Sequence, residues 1–222
     1  MLTPCNNPPN TVAAEPAKPL RLNAKTARRM DASAYPSHWV ASWLSPRGIR
    51  VTLRPIRRED AAIEQAFVIA LSPQSRCLRF IGALRELSPE TLLRFTQINF
   101  ERDMAFVAIE GVVGRKTQIG VCRYIAFADG TTCEFAVAIA DDWHRCGLGS
   151  RMMQQLVDYA RTCRLQQMVG DVLTTNIGML TLCAKLGFST VDRDDSPAVK
   201  RVTLTLTNAQ PLRNIHTPAL IK

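Results

Sequence analysis

The segment "TCEFAVAIADDWHRCGLGS", residues 132 to 150, holds two groups of residues whose types and spacing can do chemistry. In an extended run, Cys133, Phe135, Val137 and Ile139 share one face, and Glu134, Ala136, Ala138 and Ala140 share the other. The second face is a row of small residues headed by one carboxylate, which leaves room for a slender ligand to lie along it. A carboxylate that loses hydration there gains proton affinity and is ready to act as a base. The plainer alternative is that Glu134 pairs with a neighbouring arginine. Arg145 to Ser150 form the second group. Gly147 and Gly149 carry no side chains and let backbone approach a ligand, and the helix that follows offers unpaired N–H groups and a positive dipole end to an anion. Two glycines before a helix also make an ordinary turn.

These groups need elements to hold them. Leu148, Met152, Leu156 and Ala160, spaced by four, predict a helix over 148–163 with one buried face. Asn176 reads as the N-cap of a helix over 177–186, with an apolar stripe through Met179, Leu180, Cys183 and Leu186 and a stop at Gly187; alone, this is a well-capped packing helix. Upstream, Asp60 opens a helical run through Ile63, Phe67, Ala70 and Leu71, and Ser88 with Pro89 starts another. Strand-like runs are "IRVTLRPI", "MAFVAIE", "QIGVCRYIAF", "TCEFAVAIA", "MVGDVLT", "FSTVD" and "VKRVTLTL". The dipeptide Asp129-Gly130 marks a turn between the third and fourth of these runs. The aromatics Tyr35, Trp39 and Trp43 are read as covering an edge of the core. The plan is mixed α/β: one antiparallel meander, then a crossover helix.

Composition bounds the rest. A chain of 222 residues, 46% hydrophobic, buries one core of ordinary size, here expected over 35–207. Residues 1–34, with five prolines in the first 20 and a basic run after them, read as a flexible tail, and 208–222 as a second tail. The longest apolar run falls far short of the roughly 20 residues that cross a bilayer, so no membrane partner is expected. Seven scattered cysteines without a C-x-x-C pair fit neither a zinc site nor a disulfide framework, and no metal is expected. With no secretory hydrophobic block, the expected compartment is the reducing cytoplasm. A net charge of +9 favours an anionic partner, while 6% aromatics and the lack of a stacking motif disfavour nucleic acid.

Read together and in order, these pieces resemble the GCN5-related N-acetyltransferase superfamily. Its signature (Gln/Arg)-x-x-Gly-x-(Gly/Ala) is matched by His144-Arg145-Cys146-Gly147-Leu148-Gly149, and its later Asn…Leu-x-x-x-x-Gly-Phe pattern by Asn176 and "LCAKLGF". Two stretches, "LRPIRREDAAIEQAFVIALSPQSRCLRFIGALRELSPE" and "CEFAVAIADDW", are similar to the acetyltransferase domain of bacterial protein lysine acetyltransferases. The resemblance implies a central, mostly antiparallel twisted sheet of roughly six to seven strands with about four helices. It implies acetyl-CoA as cosubstrate, no metal, and an amine acceptor, foremost a protein lysine, with an acyl-CoA synthetase among such acceptors.

By the same resemblance, Phe135, Ala136, Val137, Ala138 and Ile139 hold the acetyl and pantetheine part of the cofactor. Arg145, Cys146, Gly147, Leu148, Gly149 and Ser150 cradle its pyrophosphate, and Asn176 contacts its arm. Glu134 takes the place of the general base. His144 stands where Gln or Arg is usual. Cys183 stands where many members have the tyrosine that protonates the departing thiolate, so its two readings are general acid and inert packing. The functions left open are protein lysine acetylation, acetylation of a small amine, and a binding module that senses acyl-CoA without catalysis.

Overall fold

Val51, Leu53 and Pro55 alternate with Arg50, Thr52 and Arg54, and this period of two folds as a strand whose odd-numbered residues are buried. The computed structural model describes residues 35–80, 85–111 and 116–206, and the tails expected over 1–34 and 208–222 lie outside them. In chain order the elements are β1 (Ala41–Leu44), β2 (Arg50–Pro55), α1 (Ala61–Ala70), α2 (Pro73–Phe80), α3 (Pro89–Thr96), β3 (Asp103–Glu110), β4 (Thr117–Ala126) and β5 (Thr132–Ile139). After them come α4 (Leu148–Thr162), β6 (Gln167–Leu173), α5 (Ile177–Lys185), β7 (Ser189–Asp192) and β8 (Val199–Thr205). One sheet runs β1-β2-β3-β4-β5-β6-β8-β7. Every neighbouring pair is antiparallel except β5 and β6, which are parallel and joined by the crossover helix α4.

The described residues thus form a mixed α/β fold with eight strands and five helices, one more strand than the expected count allows and one more helix. The extra strand, β1, pairs with β2 from Ala41↔Leu53 to Leu44↔Arg50. It is an edge strand with only Trp43 half-buried, so no alternation betrays it, and Trp43 packs from this strand, as Trp39 does just before it, against the core. The extra helix, α2, is short and buries no residue fully.

The sheet has a hydrophobic core on each face. On one, α4 lays Leu148, Met152, Met153, Leu156 and Ala160 against β3, β4 and β5, where Cys133 and Phe135 meet them. On the other, Phe67 and Val68 of α1, with Leu71 just after it, cover Val107, Val121 and Ala138. Ser88 caps α3 by accepting from the Thr91 N–H at 3.2 Å. Asp60 does not cap α1 with its side chain; it takes a two-pronged ion pair from Arg54, 2.6 Å on each side, and the Arg57 N–H at 2.7 Å. Under the second face lies a buried polar cluster. The Glu64 carboxylate, 1% exposed, accepts from Gln118 Nε2 at 2.5 Å and Arg123 Nη2 at 3.1 Å, tying α1 to β4.

Candidate active site

The site begins where the sheet fails to pair. β5 stays hydrogen-bonded to β4 through Gly120↔Ile139, but it pairs with β6 only at Thr132↔Gln167, Cys133↔Met168 and Glu134↔Val169. A side-chain contact marks the parting point. The Phe135 ring packs directly over Gly170 of β6, where a built Cβ would lie 2.6 Å from Cε1, and its other side meets Phe188 at 5.2 Å between ring centres. Only glycine lets that ring sit between the strands.

Parity then decides which backbone groups the gap receives. The Phe127 N–H donates to the Thr132 carbonyl and the Ala140 N–H to Ile119, so even-numbered residues of β5 turn their N–H and C=O toward β4. Past the last paired residue, the Phe135 carbonyl and the N–H and C=O groups of Val137 and Ile139 therefore turn toward the gap. A strand edge of this kind, in the middle of a sheet, offers donors and acceptors to an extended ligand carrying amides.

The gap opens into a cleft of about 1250 Å³. Of the expected cofactor residues, Phe135, Ala136, Val137, Ala138, Ile139, Arg145, Gly147, Gly149, Ser150 and Asn176 line it. The small-residue face contributes Glu134, Ala136 and Ala138 to that lining, although Ala138 also packs in the α1-side core, and the cleft continues past the strand's unpaired edge. Cys146 and Leu148 turn away from the cleft. The Cys146 thiol donates to the Trp143 carbonyl at 2.9 Å, and Leu148 is core, so only their backbone belongs to the loop.

Arg145 and Gly147 both take left-handed backbone, at φ 58° and 83°, and this curls the loop so that α4 begins facing the cleft. No side chain caps α4, and the first recorded backbone bond at its start is Arg151 N–H to Gly147 O at 3.1 Å. Among the described residues the N–H groups of Leu148, Gly149 and Ser150 have no acceptor, which suits an anion at the dipole's positive end. His144 Nε2 lies 3.0 Å from the Ile139 carbonyl; a carbonyl only accepts, so this nitrogen carries the proton and ties the loop to the strand end. Asp141 clamps the same turn to the start of α2 by accepting from Ser72 N at 2.9 Å, Ser72 Oγ at 2.8 Å and Ser75 Oγ at 2.6 Å. Burial opposes its charge, but the bonds from Ser75 and Ser72 outweigh that and hold the carboxyl below its ordinary value. Asn176 Oδ1 caps α5 by accepting from Met179 N at 3.1 Å, while the residue also faces the cleft.

Glu134 stands at the head of the cleft, exposed, and among the described residues no ion pair engages it. The alternative of a structural partner for it fails. So does the expectation that the fold itself strips its hydration: the carboxylate sits at the mouth, where only an arriving acceptor can cover it. Its register neighbour Ile125, 48% exposed, borders the mouth on the same face of the sheet, and Phe127, 39% exposed, follows two residues on. Cys183 is corrected as a candidate acid. It is completely buried in the α4-side core, does not line the cleft, and burial pushes its thiol up to about 12. Sequence reading missed Arg79 and Arg123, which line the cleft on the α2 and β4 side. Arg79 rides on the short helix that buries no residue fully, and Arg123 occupies a strand position where a hydrophobe is the ordinary occupant. Among the described residues no group of ligating side chains could hold a metal, and no helix is long and apolar enough to cross a membrane.

Comparison with known proteins agrees with this geometry. A family profile described as an acetyltransferase (GNAT) domain matches residues 50–189. The chain is 38% identical over 180 residues to an acetyltransferase of Pseudomonas aeruginosa, covering 80% of this chain and 96% of that one. In fold it is similar to the GNAT domain of S. lividans PAT, with a TM-score of 0.69 and 24% identity over 77% of this chain and 99% of that one. It is also similar to spermidine N-acetyltransferase from Vibrio cholerae in complex with CoA and spermine, with a TM-score of 0.55 and 19% identity over 70% of this chain and 95% of that one.

Proposed function

The chain belongs to the GNAT acetyltransferase family and is an N-acetyltransferase that uses acetyl-CoA, and from that premise we propose that its acceptor is the side-chain amine of a protein lysine. The observation that carries this reading is the mouth of the cleft: an exposed, unpaired Glu134 bordered by the exposed apolar residue Ile125, with exposed Phe127 two residues further along the chain. A protein surface can cover such an apron while one long thin side chain reaches the carboxylate. The net charge of +9 suits an acidic partner, and an acyl-CoA synthetase is one candidate. A reducing cytoplasm suits the six described cysteines, all free thiols.

The residues present fit acetyl-CoA, which supplies an activated thioester. The unpaired N–H groups at the start of α4, with Arg145 beside them, hold the pyrophosphate. The gap-facing backbone of Phe135 and Val137 holds the pantetheine amides, and Asn176 flanks that arm. The chemistry of the acceptor falls to Glu134. A lysine amine of pKa about 10.4 is almost all ammonium at neutral pH and has no lone pair to attack with. Glu134 accepts that proton, directly or through one water, as the amine closes on the thioester carbonyl and covers the carboxylate from solvent. Attack is direct, and no cysteine is acylated. With Cys183 shut in the core, the departing thiolate takes its proton from water or leaves as the anion.

An acetyl-transfer assay with candidate acceptor proteins, acyl-CoA synthetases among them, beside spermidine, amino acids and aminoglycosides tests the reading. Acetyl incorporation at protein lysines is the expected result. Transfer confined to small amines would overturn the acceptor, and acetyl-CoA binding without any transfer would favour a sensing module.

A further inference from the structure

Two opposite charges face the acceptor side of the cleft without pairing with each other. Glu134 has no ion-pair partner among the described residues, and neither has Arg79, whose guanidinium lies 4.8 Å over the ring of its own neighbour Phe80. Both line the same cleft. Behind Arg79 stands a second cation, Arg123, 5% exposed, stacked 3.8 Å over the Phe95 ring. It donates to Glu64 Oε1 at 3.1 Å and Phe95 O at 3.3 Å, while its Nε meets no acceptor. Glu64 is already engaged by Gln118 and Arg123, so it and Glu134 reach Arg79 only through their fields, and Arg79 forms no ion pair among the described residues. Burial and the nearby Arg123 draw the Arg79 guanidinium down to about 10 against the opposing fields of Glu64 and Glu134, so it keeps its charge at neutral pH in a place that disfavours it.

An unpaired carboxylate and an unpaired guanidinium on one wall are the complement of a ligand that carries an ammonium and a carboxylate. We propose that Arg79 receives a carboxylate of the acceptor, with Arg123 adding its field from one layer deeper, so that the enzyme selects a lysine with an acidic neighbour. This rests on the reading that the acceptor amine is delivered to Glu134. A fork of N–H donors on a planar guanidinium matches a carboxylate, and a charge-assisted pair out of bulk water favours such an acceptor by about tenfold over a neutral one. The same cation opposes a polyamine, whose second ammonium would face it.

The test uses the full chain with saturating acetyl-CoA and peptides that differ only beside the acceptor lysine: Glu, Gln or Lys on either side. The expected result is about tenfold higher kcat/KM for the Glu peptide than for the Gln peptide, carried mainly by KM. Arg79→Gln removes the preference, and Arg79→Glu turns it toward the Lys peptide, both with unchanged acetyl-CoA affinity as the sign of an intact fold. Equal rates on all three peptides, or a preference that survives Arg79→Gln, would overturn the proposal. If no peptide is acetylated, the protein-lysine reading fails by itself, and Nα-acetyl-lysine against N-acetylcadaverine, which differ by one carboxylate, decides the role of Arg79. Preference for the former upholds it, while equal or reversed rates, or no transfer to either, overturn it.

Discussion

Glu134 and Cys183 show how position in the fold, more than residue type, decides what a side chain does. Both were legible as chemistry in the sequence, one from the small residues that follow it and one from its place in a helical motif. Only depth separates them: Glu134 is exposed at the mouth, and Cys183 is sealed under α5. Replacing Glu134 by Gln keeps the shape and removes the proton acceptor. The expected outcome is a fall in kcat of about 10²- to 10⁴-fold, with acetyl-CoA binding unchanged by calorimetry. Cys183→Ala behaves in the opposite way. Turnover per folded molecule stays as in the wild type, while thermal denaturation shows a loss of about 1 kcal/mol from the cavity left behind. A matching loss of turnover would restore the thiol as an acid. His144 was opaque in the sequence, because nothing in "DDWHRCG" reveals that an imidazole will reach five residues back to a strand carbonyl.

At the scale of elements, the strands that alternate and the helices with a buried stripe could be read directly; β1 and α2 could not, because neither buries a regular face. The cost of missing α2 was functional, since it carries Arg79 and is pinned by Asp141 to the turn that shapes the loop. The parting of β5 from β6 was also invisible. It depends on Phe135 meeting Gly170 across two strands whose pairing no local pattern specifies. Gly170→Ala tests that contact. The added methyl would lie 2.6 Å from a ring carbon, so the ring must move; the expected result is destabilisation by about 1–3 kcal/mol in urea titrations and a raised KM for acetyl-CoA. An unchanged KM would show that the ring does not set the width of the gap.

The described part of the molecule is a sheet with a core on each face, and the two faces do different work. The α4 side is continuous apolar packing, whereas the α1 side closes over the charged cluster of Glu64, Gln118 and Arg123 directly behind the acceptor wall. Breaking that cluster costs far more than its net worth, because one buried charge is left alone. Glu64→Gln is expected to lower the unfolding free energy by about 3 kcal/mol or more in denaturant melts, and a change under 1 kcal/mol would mean that water reaches Arg123. Finally, the three-pair seam between β5 and β6 leaves amides of an otherwise interior strand unprotected. In deuterated solvent the N–H groups of Val137 and Ile139 should exchange rapidly in the free protein, while those of Ala136 and Ala138, bonded to β4, stay slow. Adding acetyl-CoA should slow the fast ones. The central strand would then report cofactor occupancy on alternate residues, without any label attached to it.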